Sequence, residues 1–161
     1  MAKQQIQTKT EVKQVQNIIV DGTNMIAGRL CSHVAKLLIN GNRVSIVNCE
    51  NIMLSGDRDA IIKSYRQFLE IASINNPKFG PFHPRRPDKI LTKMVRGMLP
   101  KRRASGVEAM KRLRVYIGTP IELTDKNKET FVESKITRPE SNYTAIGDIA
   151  AEIGWKGVPI S

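Results

Sequence analysis

Cysteine is scarce in this chain. Cys31 and Cys49 are the only two, with no Cys-x-x-Cys pair and no histidine pair beside them, which argues against a disulfide scaffold and a zinc site and predicts buried thiols. Histidine is equally rare. His33 and His83 lie far apart with no serine or cysteine signature around either, so a catalytic triad or a metal site has little support. Long apolar runs are missing: stretches such as Ile18-Ile19-Val20 fall far short of the roughly 20 residues that a membrane helix needs. Residues 1–16 are polar, rich in Gln and Lys, and have no apolar stretch. They predict a flexible arm that is neither a secretory signal nor an anchor, and a cytosolic chain. Carboxylates are the last shortage, 15 against 26 lysines and arginines, for a net charge of +11.

At 161 residues the chain is large enough to bury one core without disulfides or metals, so one domain with tails is expected. Ile18-Ile19-Val20 reads as a strand ending at Asp21-Gly22. A helix should follow with Ile26, Leu30, Val34, Leu37 and Leu38 on one face, capped by Asn24 and closed by Asn40-Gly41. Val44 to Val47 reads as a second short strand, and Ile52 to Leu54 is a further apolar stretch that runs to Ser55-Gly56. A second helix is expected over residues 57–72, with Ile61, Tyr65, Phe68, Leu69 and Ala72 buried. Strands alternating with helices at these lengths predict an α/β fold with a mainly parallel sheet covered on both faces.

Prolines 77, 81, 84 and 87 then predict a stiff, structured loop. A helix over 88–99 follows, with Ile90, Leu91, Met94, Val95, Met98 and Leu99 on one side and Lys89, Lys93 and Arg96 as a stripe on another. Ser105 and Glu108 have capping-box spacing for a short helix, and Leu113 to Ile117 reads as the last strand. After a polar linker, Thr144 is expected to cap a C-terminal helix bearing Ile146, Ile149, Ala150 and Ile153. Gly154 should end it, with Trp155 as a packing anchor. No repeat is present.

Nearly all the excess charge lies in residues 77–114. There Lys78, Arg85, Arg86, Lys89, Lys93, Arg96, Lys101, Arg102, Arg103, Lys111, Arg112 and Arg114 face only Asp88 and Glu108. A charge that served solubility has no reason to concentrate, whereas a surface that neutralises phosphates does. Arginine offers phosphate oxygens a planar fork and lysine a point charge, so a mixture on a loop and helix can follow an irregular backbone. These twelve cations, together with Phe82 and His83, form the candidate nucleic-acid site. His83 either contacts a phosphate or base or is an ordinary satisfied loop histidine. Phe79 and Phe82 either stack on bases or pin the loop. His33 shares a polar helix face with Arg29, Lys36 and Asn40, which reads as solvated. No zinc-finger spacing, basic zipper or RNP-like aromatic signature is present.

The turn from Asp21 to Leu30 invites comparison with phosphate loops. Its glycines, Gly22 and Gly28, are separated by five residues and followed by Arg29-Leu30, which fits neither a Walker loop nor Gly-x-Gly-x-x-Gly. A tight βα turn with close helix packing is expected instead.

The runs Gly80-Pro-Phe-His-Pro-Arg-Arg-Pro-Asp-Lys-Ile90, Val95-Arg-Gly-Met-Leu-Pro-Lys101 and Arg112-Leu-Arg-Val-Tyr-Ile-Gly118 resemble the thirteenth universal large-subunit ribosomal protein family in its archaeal and eukaryotic form. Val20-Asp21-Gly22, Gly28-Arg29-Leu30, Val47-Asn48-Cys49-Glu50 and Ile153-Gly-Trp-Lys-Gly157 extend the likeness over residues 17–157. Thr119-Pro120-Ile121 stands where bacterial relatives often carry His-Pro, which favours the archaeal type. The resemblance implies a three-layer α/β/α domain with a parallel four-stranded sheet, a basic loop-helix extension and a C-terminal helix. Residues 1–16 would be the arm, 17–120 the RNA-binding core including the basic segment 77–114, and 121–161 the linker and final helix. It further implies a ribosome-bound, cytoplasmic, structural role in subunit assembly, monomeric within the ribosome, beside large-subunit ribosomal RNA and neighbouring ribosomal proteins. No enzyme activity, cofactor or membrane association is implied.

Overall fold

A computed structural model describes residues 15–139 and 142–157; most of the predicted arm falls outside them. The β-branched run at the start forms β1 (Asn17–Asp21), and α1 (Ala27–Ile39) follows. Next come β2 (Arg43–Val47), a 3-10 turn (Cys49–Asn51), β3 (Met53–Ser55) and α2 (Arg58–Glu70). The proline-rich segment leads into α3 (Pro87–Met98), α4 (Ala104–Lys111) and β4 (Leu113–Val115). The short α5 (Ile121–Thr124), β5 (Tyr143–Ala145) and α6 (Ile146–Glu152) complete the order.

The α/β class is as expected, and the central sheet is parallel in the order β1-β2-β4. Among the described residues it has three strands where the resemblance implied four. The fourth position, beside β1, is held by a single bridge from Glu129 to Val20, because the polar segment there lacks the apolar run that would extend the pairing. β3 does not join this sheet; it pairs antiparallel with β5. Thr144 is therefore a buried strand residue and not a helix cap, and α6 starts from Ala145 with no side-chain cap.

Register explains the core. Ile18 lies opposite Val44, Val20 opposite Ile46, and Val44 opposite Leu113, so these side chains share one face. Against them α1 buries Ala27, Leu30, Cys31, Val34, Ala35 and Leu38, spaced as one helical stripe. α3 adds Ile90, Leu91 and Val95, and Ala109 of α4 also joins the cluster. Each fully buried Leu, Ile or Val contributes about 1.5–3 kcal/mol relative to exposure. Trp155 packs at the margin of the same cluster, as an anchor should.

Helix ends differ from expectation where a loop demands the residue. Asn24 does not cap α1: it takes a left-handed φ of 56° and its N–H donates to the Asn51 carbonyl. At the other end the expected closure forms, with Gly41 N–H donating to Leu38 and Asn42 N–H to Leu37. Ser105 falls inside the first turn of α4, whose cap position is Arg103, so no capping box forms. In α2 the cap is Asp57, accepting from the Ala60 N–H at 3.2 Å. Its buried residue is Ile62, with Ile61, Tyr65, Phe68 and Leu69 half-buried and Ala72 exposed beyond the helix end. Met98 also departs from the predicted face of α3: it is exposed while Leu99 is buried.

Candidate nucleic-acid interface

The proline-rich loop is fastened from within. His83 Nε2 lies 2.6 Å from the Ile71 carbonyl, and its ring meets Phe68 edge-on. The Lys93 ammonium sits 3.9 Å from the centre of the Phe68 ring and donates to the Phe82 carbonyl at 3.2 Å. Burial and the nearby Lys101 push the Lys93 pKa down. Phe79 and Phe82 are 82% and 76% exposed, so neither ring pins the loop.

Pro87 occupies the first turn of α3, where a missing N–H costs nothing. Beside it Arg86 pairs with the buried Asp88 at 3.1 Å. Arg112 donates to the Leu38 carbonyl at 2.9 Å, at the negative end of α1. Thus His83, Arg86, Lys93, Arg112 and Arg114 of the predicted set have partners within the protein. Lys78, Arg85, Lys89, Arg96, Lys101, Arg102, Arg103, Lys111 and Arg114 are exposed.

Between the end of α3 and α4 the chain forms a cleft of about 310 Å³. Leu99, Gly106, Val107 and Met110 make its apolar floor, and Arg96, Lys101 and Lys111 line it as well. Gly106 makes the close approach possible, since a Cβ there would lie 2.2 Å from the Pro100 carbonyl oxygen. Two cations that sequence reasoning missed, Arg43 and Lys126, line a separate groove with Lys111, Arg112 and Arg114. The signal was the alternation Arg43-Val44-Ser45-Ile46, which puts polar side chains on one face of β2.

The β1–α1 turn holds no phosphate cradle. The N–H groups of Gly22, Thr23, Asn24, Met25 and Ile26 donate respectively to Val47, Asp21, Asn51, Gly22 and Ser134. Gly22 packs against Ile52, whereas Gly28, expected to pack closely, faces open space. His33 is not simply solvated: it stacks on Phe131 and lies 3.4 Å from Glu133, while Arg29 donates to the Glu133 carbonyl. Among the described residues no group of three or more potential metal ligands is present, and no helix is long and apolar enough to cross a membrane.

A parallel α/β core carrying concentrated, partly unpaired cations defines a basic domain suited to a polyanion. The sequence comparisons make this specific. The family model for ribosomal protein L13 matches residues 15–122, and the chain belongs to that family. It is 46% identical over 145 residues to the large ribosomal subunit protein uL13 of Aeropyrum pernix, covering 89% of this chain and 94% of that one. The uL13 proteins of Methanosphaera stadtmanae and Methanococcoides burtonii are 47% and 42% identical over 141 and 139 residues. Each alignment covers 86% of this chain, with 97% and 98% of the relative.

Proposed function

We propose that the chain is a structural constituent of the large ribosomal subunit that binds ribosomal RNA and supports subunit assembly, without catalysing a reaction. The observation that carries this reading is the coincidence of family and surface: a member of the L13 family holds exposed cations around a fastened, proline-stiffened loop and the helix after it. A loop already fixed by His83 and Lys93 loses less entropy on docking. Lys78, Arg85, Lys89, Arg96, Lys101, Arg102 and Arg103 meet phosphates, and the exposed rings of Phe79 and Phe82 stack on unpaired bases. His83, Arg86, Lys93 and Arg112 contribute mainly by shaping that surface. Neighbouring proteins of the subunit complete the surroundings.

Titration of protein-free large-subunit ribosomal RNA over a range of salt tests the reading. Changing Arg85, Lys89 and Arg96 together to Gln should flatten the log–log salt slope by roughly 2 to 3 units, about one per lost phosphate contact. An unchanged slope would place the site elsewhere. Native protein should sediment with large subunits at moderate salt, and a wholly free pool would sink the proposal.

A further inference from the structure

The sheet has a second face, on which polar and charged side chains stand beside the buried Ile19 and Val47. Parallel sheets generally have both faces covered by helices. Here alternation along β2 sends Val44 and Ile46 into the core and Arg43 and Ser45 to the opposite side. The pairings Asn17 with Arg43 and Ser45 with Arg114 put Asn17 and Arg114 there too. At the margin of this face lies Leu123 of α5, and between them runs an open groove of about 730 Å³.

Arg43, Lys111, Arg112, Arg114 and Lys126 line that groove, and among the described residues no carboxylate lines it. Like charges gathered without a counter-charge repel one another and raise the local potential for an anion. Arg114 is oriented before any ligand arrives, donating to the Leu113 carbonyl at 3.2 Å, whereas Arg112 borders the groove while its guanidinium is held by the Leu38 carbonyl at the end of α1. A groove of this volume, with cations spread from β2 to beyond α5, suits a chain of phosphates better than one small anion.

We propose that this groove is a second RNA site, which takes a phosphodiester backbone on the sheet face opposite α1 and α3. The chain would then hold two RNA segments with the sheet between them. This rests on the RNA-binding reading above and adds a location and a stoichiometry to it.

The test compares wild-type protein with a groove variant, Arg43→Gln/Lys126→Gln, and a loop variant, Arg85→Gln/Lys89→Gln. All four positions are exposed, so thermal melts should coincide. Protein-free large-subunit ribosomal RNA is the probe, read by salt-dependent titration and by hydroxyl-radical footprinting. Each variant should flatten the log–log slope by roughly 2 units, and each should lose a different set of protected nucleotides. A groove variant with wild-type slope and footprint would overturn the second site while leaving the loop reading intact. Loss of the same nucleotides in both variants would overturn the two-segment arrangement. Wild-type protein that binds no RNA saturably would overturn both readings. Binding of poly-glutamate that is lost in the groove variant, with RNA affinity unchanged, would assign the groove to an acidic polypeptide and so overturn the proposal.

Discussion

Asn48 donates its side-chain N–H to Asp21 Oδ1 at 3.0 Å, joining the carboxyl-terminal ends of β1 and β2. Asn48 is left-handed, with φ 55°, and its own side-chain oxygen accepts from Thr119 at 3.0 Å. One residue therefore ties together the chain segments leaving three neighbouring strands. The adjacent Glu50 carboxylate accepts from the Gly118 N–H and strengthens the same junction.

Stability should fall in acid through Asp21. Burial alone would raise its pKa, but hydrogen bonds from Asn48 and Thr23 and the charge of Lys128 outweigh that and hold it below the ordinary aspartate value. The folded state thus binds its proton less readily than the unfolded chain. The stabilisation is present above about pH 3.9, the usual aspartate value, and is lost as pH falls through the lower native one. Asp21→Ala should cost about 1 to 2 kcal/mol near neutrality, since the lost hydrogen bonds are partly exposed. Its denaturant midpoint should also change less below pH 4 than the wild type's. Parallel acid titrations of stability check both statements.

Gly28 at the start of α1 and Gly106 at the α3–α4 junction should separate by sign. Gly106→Ala drives a Cβ to 2.2 Å from the Pro100 carbonyl oxygen, a backbone atom with little room to retreat. Overpacking of this kind costs about 1–3 kcal/mol or more. Gly28→Ala meets nothing within 4 Å inside a helix, so it should stabilise by roughly 0.5–1 kcal/mol. Thermal melts of the two variants give the comparison, and a destabilised Gly28→Ala would mean that the helix start is packed more tightly than described.

Periodicity made most of this fold readable in advance, because α1, α3 and β1 each carry an unbroken apolar pattern. The errors fell where one residue serves two elements. Thr144 has the chemistry of a cap, yet its place opposite Leu54 makes it a strand residue, and no local signal reveals a partner ninety positions away. Lys93 has the spacing of the basic stripe, but its ammonium sits over the Phe68 ring. Arg43 lay outside the basic segment and was missed as a charge. Only the register of β2 against β4 brings it beside Arg112 and Arg114.

Both thiols should be inert in the folded protein. Cys31 and Cys49 are fully buried, and burial pushes each pKa up to about 12, with Glu50 and Asp88 adding to the effect at Cys49. The reactive thiolate is therefore almost absent at neutral and mildly alkaline pH. A disulfide-exchange reagent should label neither residue in native buffer and both in denaturant. Rapid labelling of one in native buffer would expose a local opening of its element.

The end of α3 places an exposed cation and a core side chain three residues apart, and they should fail in different assays. Leu99 is 5% exposed and packs in the main core cluster. Leu99→Ala leaves a cavity beneath the α3–α4 junction and should cost about 2 to 5 kcal/mol. Arg96 lines the neighbouring cleft from an exposed position, so Arg96→Gln removes a charge and opens no cavity. Its melting temperature should stay near that of the wild type while RNA affinity falls and the salt slope flattens by roughly one unit. Leu99→Ala, measured well below its own melting temperature, should keep the wild-type slope because every cation remains. The slope is the discriminating quantity, since a partly unfolded sample loses binding-competent protein but not counterions per contact. An Arg96→Gln protein that melts early, or a Leu99→Ala protein of undiminished stability, would show that the faces of this helix are assigned the wrong way round.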